Sequence, residues 1–406
     1  MSAGIVIVGA GHAGGSAAAL LRQNGHVGPI TLVGEEPLPP YQRPPLSKGW
    51  LKGEVGAADL LLRPEAFYAE RDITLRLSTR VTAIDPAARS VTLGDGMRLP
   101  YEALILATGS RLRKLPAPGA DLPGVLELRS AADAERIRAA LGPGRRLAVI
   151  GGGYVGLEVA ASARALGAEV TVFEREQRLL ARVASPELSA YFAGLHRAHG
   201  VGIETGAGIA ALSGDGRVAA VTLDDGRSFD CDAAVVGIGA LAEAALALAA
   251  GVACDDGVVV DDACRTSVDG IHAIGDCTRR PVPRYGRRLR LESVPNALEQ
   301  AKQVAAHLCG KPAPRVEAPW FWSDQYDTRL QIAGMAFDIE RTVVRGDPAA
   351  GKFAVFHLAA GDVVQAVEAV NAPQEFIAGK MLVGAAKAVD PARLADPAVP
   401  LKELMV

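Results

Sequence analysis

The sequence predicts a mixed α/β chain: two parallel-sheet units of one design, followed by a small α+β C-terminal domain. Three observations carry this reading. Short apolar runs alternate with helical stretches, the pattern of parallel sheets covered by crossover helices. One glycine spacing, placed directly after such a run, occurs twice. After residue 315 strand-like segments follow one another with a turn between them. A chain of 406 residues holds two or three domains at about 150 residues each. With 43 basic and 46 acidic residues, the net charge of −3 argues against a strongly basic nucleic-acid binder.

The first unit opens on Ile5-Val6-Ile7-Val8, a run suited to a strand buried on both faces. It leads into Gly9-Ala10-Gly11-His12-Ala13-Gly14, the G-x-G-x-x-G spacing. A helix is predicted over Ala17 to Gln23, then a strand from Ile30 to Val33 that ends at Gly34-Glu35. Gly9 permits the strand-to-helix turn, Gly11 lets backbone approach a pyrophosphate, and Gly14 lets helix pack on strand. The helix start offers free N–H groups to phosphate, and Glu35 is placed to accept from ribose hydroxyls. Strand, glycines, helix, second strand and terminal acid together predict a Rossmann-like dinucleotide site.

The unit recurs at Leu147-Ala148-Val149-Ile150, followed by Gly151-Gly152-Gly153-Tyr154-Val155-Gly156. A helix is predicted from Glu158 to Leu166 and a strand from Glu169 to Phe173, ending at Glu174. Two fingerprints predict two separate dinucleotide sites. A carboxylate at Glu174 favours NAD and repels a 2′-phosphate, and it outweighs the adjacent Arg175.

Further strand ends lie at Leu104 to Gly109, Val235 to Gly239 and Ile271 to Asp276. Turns or linkers are expected at Asp121 to Gly124 and Lys311 to Pro314. In the tail, strands are predicted at Glu340 to Arg345, Lys352 to Leu358 and Val363 to Val370, with a helix after Pro373.

The apolar N-terminus lacks a positive n-region and is broken by glycines, so it does not read as a signal peptide. The Ala- and Gly-rich run from Ala233 to Cys254 reads as a buried strand and helix rather than a membrane span. Five scattered cysteines with no Cys-x-x-Cys pair fit a reduced, cytoplasmic chain. His196 and His199 share a helix face but have no nearby Cys or carboxylate to complete a metal site; they read as surface histidines, and no metal is expected.

The motifs GAGHAGG, PYQRPPLSK, LATGS, GGGYVGLE, AIGDC, ESVPNALEQA and PWFWSDQY occur in that order along essentially the whole chain, and VPLKE follows near its end. Together they resemble the FAD-dependent, NADH-oxidising ferredoxin reductases of bacterial oxygenase systems, the putidaredoxin reductase-like family. The resemblance implies a glutathione-reductase-like flavoprotein architecture: an FAD domain over 1–108 and 239–312, an NAD domain over 109–238, and a tail domain over 313–406 that covers the flavin. It implies bound FAD, NADH as substrate, and hydride transfer to FAD. Single electrons then pass to a small acidic 2Fe-2S ferredoxin feeding an oxygenase such as a haem-thiolate cytochrome monooxygenase. The chain would act without nucleic acid or membrane, as a monomer or weak dimer.

By the same resemblance FAD would contact Gly9, Gly11, His12, Ala13, Gly14, Glu35, Arg43, Lys48, Val81, Ala107, Thr108, Gly109, Arg129, Gly275, Asp276 and Val294, with Trp320 and Trp322 beside it. NADH would contact Gly151, Gly153, Tyr154, Val155, Gly156, Glu158 and Glu174, near Gly237 and Gly239. Lys48 and Glu158 would meet where nicotinamide and flavin adjoin, with Lys48 held charged in a partly dry place. One departure is local: Ala242-Glu243 stands where the family often has Pro-Asn.

A disulfide, peroxide or oxygen reductase of the same fold would need a redox cysteine, yet PYQRPPLSKGW carries Ser47 and no thiol. A redox flavoprotein of the apoptosis-inducing-factor type shares the architecture, but neither a targeting presequence nor a long basic tract supports it. Arg279, Arg280, Arg284, Arg287, Arg288 and Arg290 fall in a stretch without acids, between two motifs that the resemblance places at the flavin. By default such a run is a solvated loop; here it is also a candidate rim for an acidic partner.

Overall fold

The computed structural model describes residues 3–404. Contacts divide the chain into two compact units, one of residues 1–42, 57–111 and 240–319, the other of residues 43–56, 112–239 and 320–406. This differs from the expected three-domain partition in two respects: the tail from 320 groups with 112–239 instead of standing as a third domain, and 43–56 groups there as well. The segment is tied there by its own bonds: Ser162 Oγ donates to the Ser47 carbonyl at 2.7 Å, and Arg138 reaches the Trp50 carbonyl at 3.4 Å.

In the first unit, Gly4–Val8 pairs in parallel with Ile30–Val33 on one side and Arg98–Leu106 on the other. Ile73–Arg76 and Ile271–Ala273 extend this parallel sheet at its two ends. The continuous apolar run has a clear physical reason. Ile5, Ile7 and Ile105 enter one core, with the small residues Ala17, Ala18, Ala301 and Ala305 of two helices, His12–Gln23 and Val294–Leu308. Val6, Val8, Leu104 and Leu106 enter another core on the opposite face. A strand with both faces buried cannot alternate apolar with polar residues. The first helix begins at His12 rather than Ala17, because the last three fingerprint residues lie in its first turn, with Gly11 as the N-cap.

The second unit repeats the plan. Gly202–Thr205, Glu169–Glu174, Arg146–Ile150, Ala233–Val236 and Val125–Glu127 form a five-stranded parallel sheet. The helix Tyr154–Ala165 again starts within the fingerprint, directly after Gly153 and ahead of the expected Glu158. The tail is an antiparallel five-stranded sheet with the helix Pro373–Ala385. Its strands at Arg341–Asp347, Lys352–Ala359 and Val363–Val370 match the expected ones within two residues. Two more, Trp320–Gln325 and Thr328–Gly334, pair as an antiparallel hairpin that carries the PWFWSDQY motif.

The Ala233–Cys254 run is the buried strand Ala233–Val236, the short strand Ala240–Ala242 and a five-residue helix, Ala245–Ala249. Among the described residues no helix is long and apolar enough to cross a membrane.

Candidate functional site

Each fingerprint is built the same way, and each glycine has a separate reason. Gly9 has φ +114°, and a Cβ there would stand 2.1 Å from the Ala107 carbonyl oxygen. A Cβ on Gly14 would stand 2.0 Å from the Gly9 oxygen. Gly11 is different: a Cβ on it would meet nothing within 4 Å. In the second unit Gly151 has φ +113° and approaches the Gly237 oxygen, Gly156 approaches the Gly151 oxygen, and Gly153 again faces open space. In each G-x-G-x-x-G the first and last glycines are demanded by the fold itself. The middle one is demanded by nothing in the chain, which is what a loop shaped for close approach of a pyrophosphate requires. The residues therefore fit the two dinucleotides.

Around the first loop, Gly275 lies against Ala13, whose Cβ would be 3.0 Å from one added to the glycine. This sets the helical turn Gly275–Cys277, with Asp276 in it, beside the fingerprint helix. Gln300 holds that turn by accepting from Gly275 N at 2.8 Å. Thr108 Oγ1 donates to the Glu243 carbonyl at 2.6 Å, and Glu243 N donates to Gly109 at 2.9 Å. Val81 and Ala107 are buried in the cores, and Val294 opens a helix capped by Ser293. Glu35 is exposed at its strand end, 3.8 Å from Arg80.

Around the second loop, Glu174 Oε2 accepts from Gly152 N at 2.7 Å, so the acid at the strand end touches the glycine loop itself. Tyr154 packs edge-on against Phe321 at 4.8 Å, and burial pushes its phenol pKa well above the usual value. Val155 is half exposed, and Gly239 adopts φ +102°. Arg43 donates to the Arg129 carbonyl at 2.5 Å, which joins two residues the resemblance assigned to FAD. Trp320 and Trp322 sit 5.7 Å apart on one strand, with the Lys380 ammonium 5.0 Å from the Trp320 ring.

Lys48 and Glu158 meet: Nζ lies 2.6 Å from Oε2. Both side chains are largely shielded, Lys48 with 20% and Glu158 with 6% accessible, so the lysine lies in a partly dry place and the carboxylate is the more deeply buried partner. Ser47 Oγ donates to Glu158 Oε2 at 2.5 Å and Ser323 Oγ to Oε1 at 2.6 Å. Neither serine was found from the sequence. Ser47 was noted only for not being a thiol, and Ser323 only as a letter of PWFWSDQY.

Two expectations are corrected. His196 is not a surface histidine but fully buried, bonded to Gln325 at 2.8 Å, whereas His199 is exposed. The Pro186–Ala198 helix turns His196 inward, toward the tail hairpin. The arginine run is not a uniform solvated loop. Arg280 is buried and paired with Glu299 at 2.5 Å, Arg279 is paired with Asp255, and Arg290 with Asp256 and Glu292. Arg287 and Arg288 are exposed on a short strand, Arg287–Leu289.

All five cysteines are free thiols. Burial pushes Cys264 up to about 12 and Cys231 up to about 11, far from a reactive thiolate. Among the described residues no group of His, Cys, Asp and Glu is arranged to hold a metal ion. A cavity of about 740 Å³ opens at the other end of the first sheet from Gly9, beside Ile5, Glu102, His272 and His307.

The family model of pyridine nucleotide-disulphide oxidoreductases matches residues 3–301, and the reductase C-terminal model matches 320–405. Putidaredoxin reductase of Pseudomonas putida is 45% identical over 408 residues, covering 99% of this chain and 96% of that protein. This chain belongs to the putidaredoxin reductase-like ferredoxin reductases. Rhodocoxin reductase of Rhodococcus erythropolis is 43% identical, covering 98% of this chain and 93% of that one. The reductase also matches the crystal structure of a covalent putidaredoxin reductase–putidaredoxin complex, with a TM-score of 0.97 and 43% identity. That match covers 100% of this chain and 98% of the other. The reductase is an FAD-dependent oxidoreductase of mixed α/β fold that uses a nicotinamide dinucleotide.

Proposed function

We propose that this reductase oxidises NADH, and that its electrons go singly to a small acidic 2Fe-2S ferredoxin serving an oxygenase. FAD is assigned to the Gly9–Gly14 loop and NADH to the Gly151–Gly156 loop. The observation that carries the reading is the duplicated loop geometry, in which Gly11 and Gly153 alone face open space. Bound FAD supplies the chemistry, accepting a hydride and releasing electrons one at a time.

The chain's own residues bind and orient. The two helix N-termini direct free N–H groups at pyrophosphates. Glu174 selects the unphosphorylated ribose, since a 2′-phosphate would meet a carboxylate already fixed on Gly152. Lys48 is assigned as the cation that stabilises negative charge as it develops on reduction, with Glu158 holding the ammonium in one place. A disulfide-reducing activity is disfavoured by the buried, high-pKa thiols.

The test is NADH-dependent reduction of a panel of purified ferredoxins. Rapid reduction of at least one acidic 2Fe-2S protein, with little disulfide or peroxide turnover, is the expected result. Fast disulfide or peroxide turnover with no ferredoxin reduced would overturn it.

A further inference from the structure

We propose that Ser323, Gln325 and His196 form a polarised hydrogen-bond chain that orients Glu158, which makes Ser323 a positioning residue for flavin reduction. This rests on the assignment of Lys48 and Glu158 above.

The direction of every bond in the chain follows from its neighbour. Glu158, paired with Lys48, can only accept. Ser323 Oγ, 2.6 Å from Oε1, therefore spends its one proton on the carboxylate and must itself accept. Its donor is Gln325 Nε2 at 3.2 Å. That fixes the Gln325 amide, so its Oε1 faces His196 Nε2 at 2.8 Å and accepts there. His196 then carries its proton on Nε2, which leaves Nδ1 to accept from the Tyr326 hydroxyl at 3.2 Å. From Tyr326 to Glu158 every donor points toward the carboxylate, an arrangement in which each bond strengthens the next.

The chain is dry and anchored. Ser323, Gln325 and His196 are 0%, 1% and 0% exposed, so water cannot replace a lost partner. Its outer end is fixed by the hairpin turn, where Tyr326 takes the left-handed φ of +55° and its ring stacks on His199 at 3.7 Å. The inner end is decisive. Lys48 and Ser47 both bind Oε2, and among the described residues Ser323 is the donor to Oε1. Without it a buried oxygen is stranded, and the carboxylate is free to rotate about its last bond and carry the ammonium with it.

The test is stopped-flow reduction of the FAD-loaded protein by NADH at several concentrations. Ser323→Ala is expected to lower the limiting rate roughly tenfold, the effect of losing one charge-assisted hydrogen bond, with the half-saturating NADH concentration unchanged. Ser323→Thr restores the rate, and Gln325→Leu lowers it although Gln325 does not touch Glu158. In a Glu158→Ala background, Ser323→Ala has no further effect. A second measurement needs no substrate: 15N NMR of histidine-labelled protein, with His196→Gln for assignment, shows the Nε2-protonated tautomer. Wild-type rate in Ser323→Ala beside a slow Glu158→Ala overturns the chain alone. Wild-type rate in Glu158→Ala overturns the Lys48–Glu158 assignment and the chain with it. An Nδ1-protonated His196 overturns the direction of the bonds and so the proposal.

Discussion

Lys48 and Glu158 form a 2.6 Å ion pair in which the carboxylate is the more deeply buried member, 6% of its side chain accessible against 20%. The two ends of the pair are therefore unequal. Removing Lys48 strands a buried carboxylate, which costs about 3 kcal/mol when a buried pair is broken from one side. Removing Glu158 leaves a lysine that is less deeply buried and still donates to the Pro44 carbonyl at 3.1 Å, so the loss is smaller. Thermal unfolding is expected to rank Lys48→Ala below Glu158→Ala, while both slow flavin reduction and the double variant shows non-additive loss. The opposite ranking would mean that the lysine is the desolvated partner.

The fingerprint glycines separate folding from binding. Gly14→Ala drives a Cβ to 2.0 Å from the Gly9 oxygen, a backbone atom that cannot step aside, and is expected to cost stability and soluble yield. Gly11→Ala meets nothing in the chain and is expected to fold normally but lose FAD on dilution. Gly153→Ala is expected to keep FAD and weaken NADH. Flavin absorbance after gel filtration and apoprotein melting temperature read the two effects separately.

Glu174 bears on cofactor choice. Its carboxylate is held by Gly152 N and Glu176 N, so it has little freedom to turn away from an incoming 2′-phosphate. NADH is expected to be used well and NADPH poorly, and Glu174→Ala to narrow the ratio. Steady-state kcat/KM for both nucleotides decides it; equal efficiency in the native protein would remove Glu174 from this role.

His272 gives the first unit an acid-side weakness. Burial, then the neighbouring His307, pushes its pKa from the ordinary 6.5 down to about 4. Above pH 6.5 the ring is neutral both folded and unfolded, and the full stability is present. As pH falls from 6.5 toward 4 the unfolded chain binds a proton that the folded one refuses, so stability drops, by about 3 kcal/mol in all. Below the folded value this contribution falls no further. Urea unfolding of wild type and His272→Gln at pH 7 and 4.5 is the check, with the variant expected to lose less on acidification.

The arginines of the run differ in exposure. Arg279, Arg280 and Arg290 pair with acids of the same chain. Arg287 and Arg288 are exposed on their strand, with Arg288 donating to the Val260 carbonyl at 2.7 Å. Charge reversal at Arg287 and Arg288 is expected to raise the KM for an acidic ferredoxin. Rising salt is expected to slow ferredoxin reduction more than reduction of a small neutral acceptor. An unchanged KM would move the docking surface elsewhere, first to the tail near Trp322.

The two glycine loops, the strands that feed them and the acids at the ends of their second strands were legible in the sequence, because each depends on neighbours within about 35 residues along one βαβ unit. Apolar runs such as Ile5 to Val8 declared themselves for the same reason: a strand buried on both faces must be apolar at every position. The tertiary structure alone decided which distant acids the arginines meet. No acid lies within the arginine stretch, yet Asp255 and Glu299 reach it from elsewhere in the chain. It also decided that Glu158 is the more deeply buried partner of Lys48, and it set Ser323 against Glu158 across 165 residues of sequence. His196 looked like a surface residue because a helix face is read from its own periodicity, and the partner that buries it, Gln325, belongs to a hairpin 129 residues away. Local pattern specifies backbone and core. A buried polar group is specified by whichever distant donor satisfies it, and one strand of sequence carries no record of that pairing.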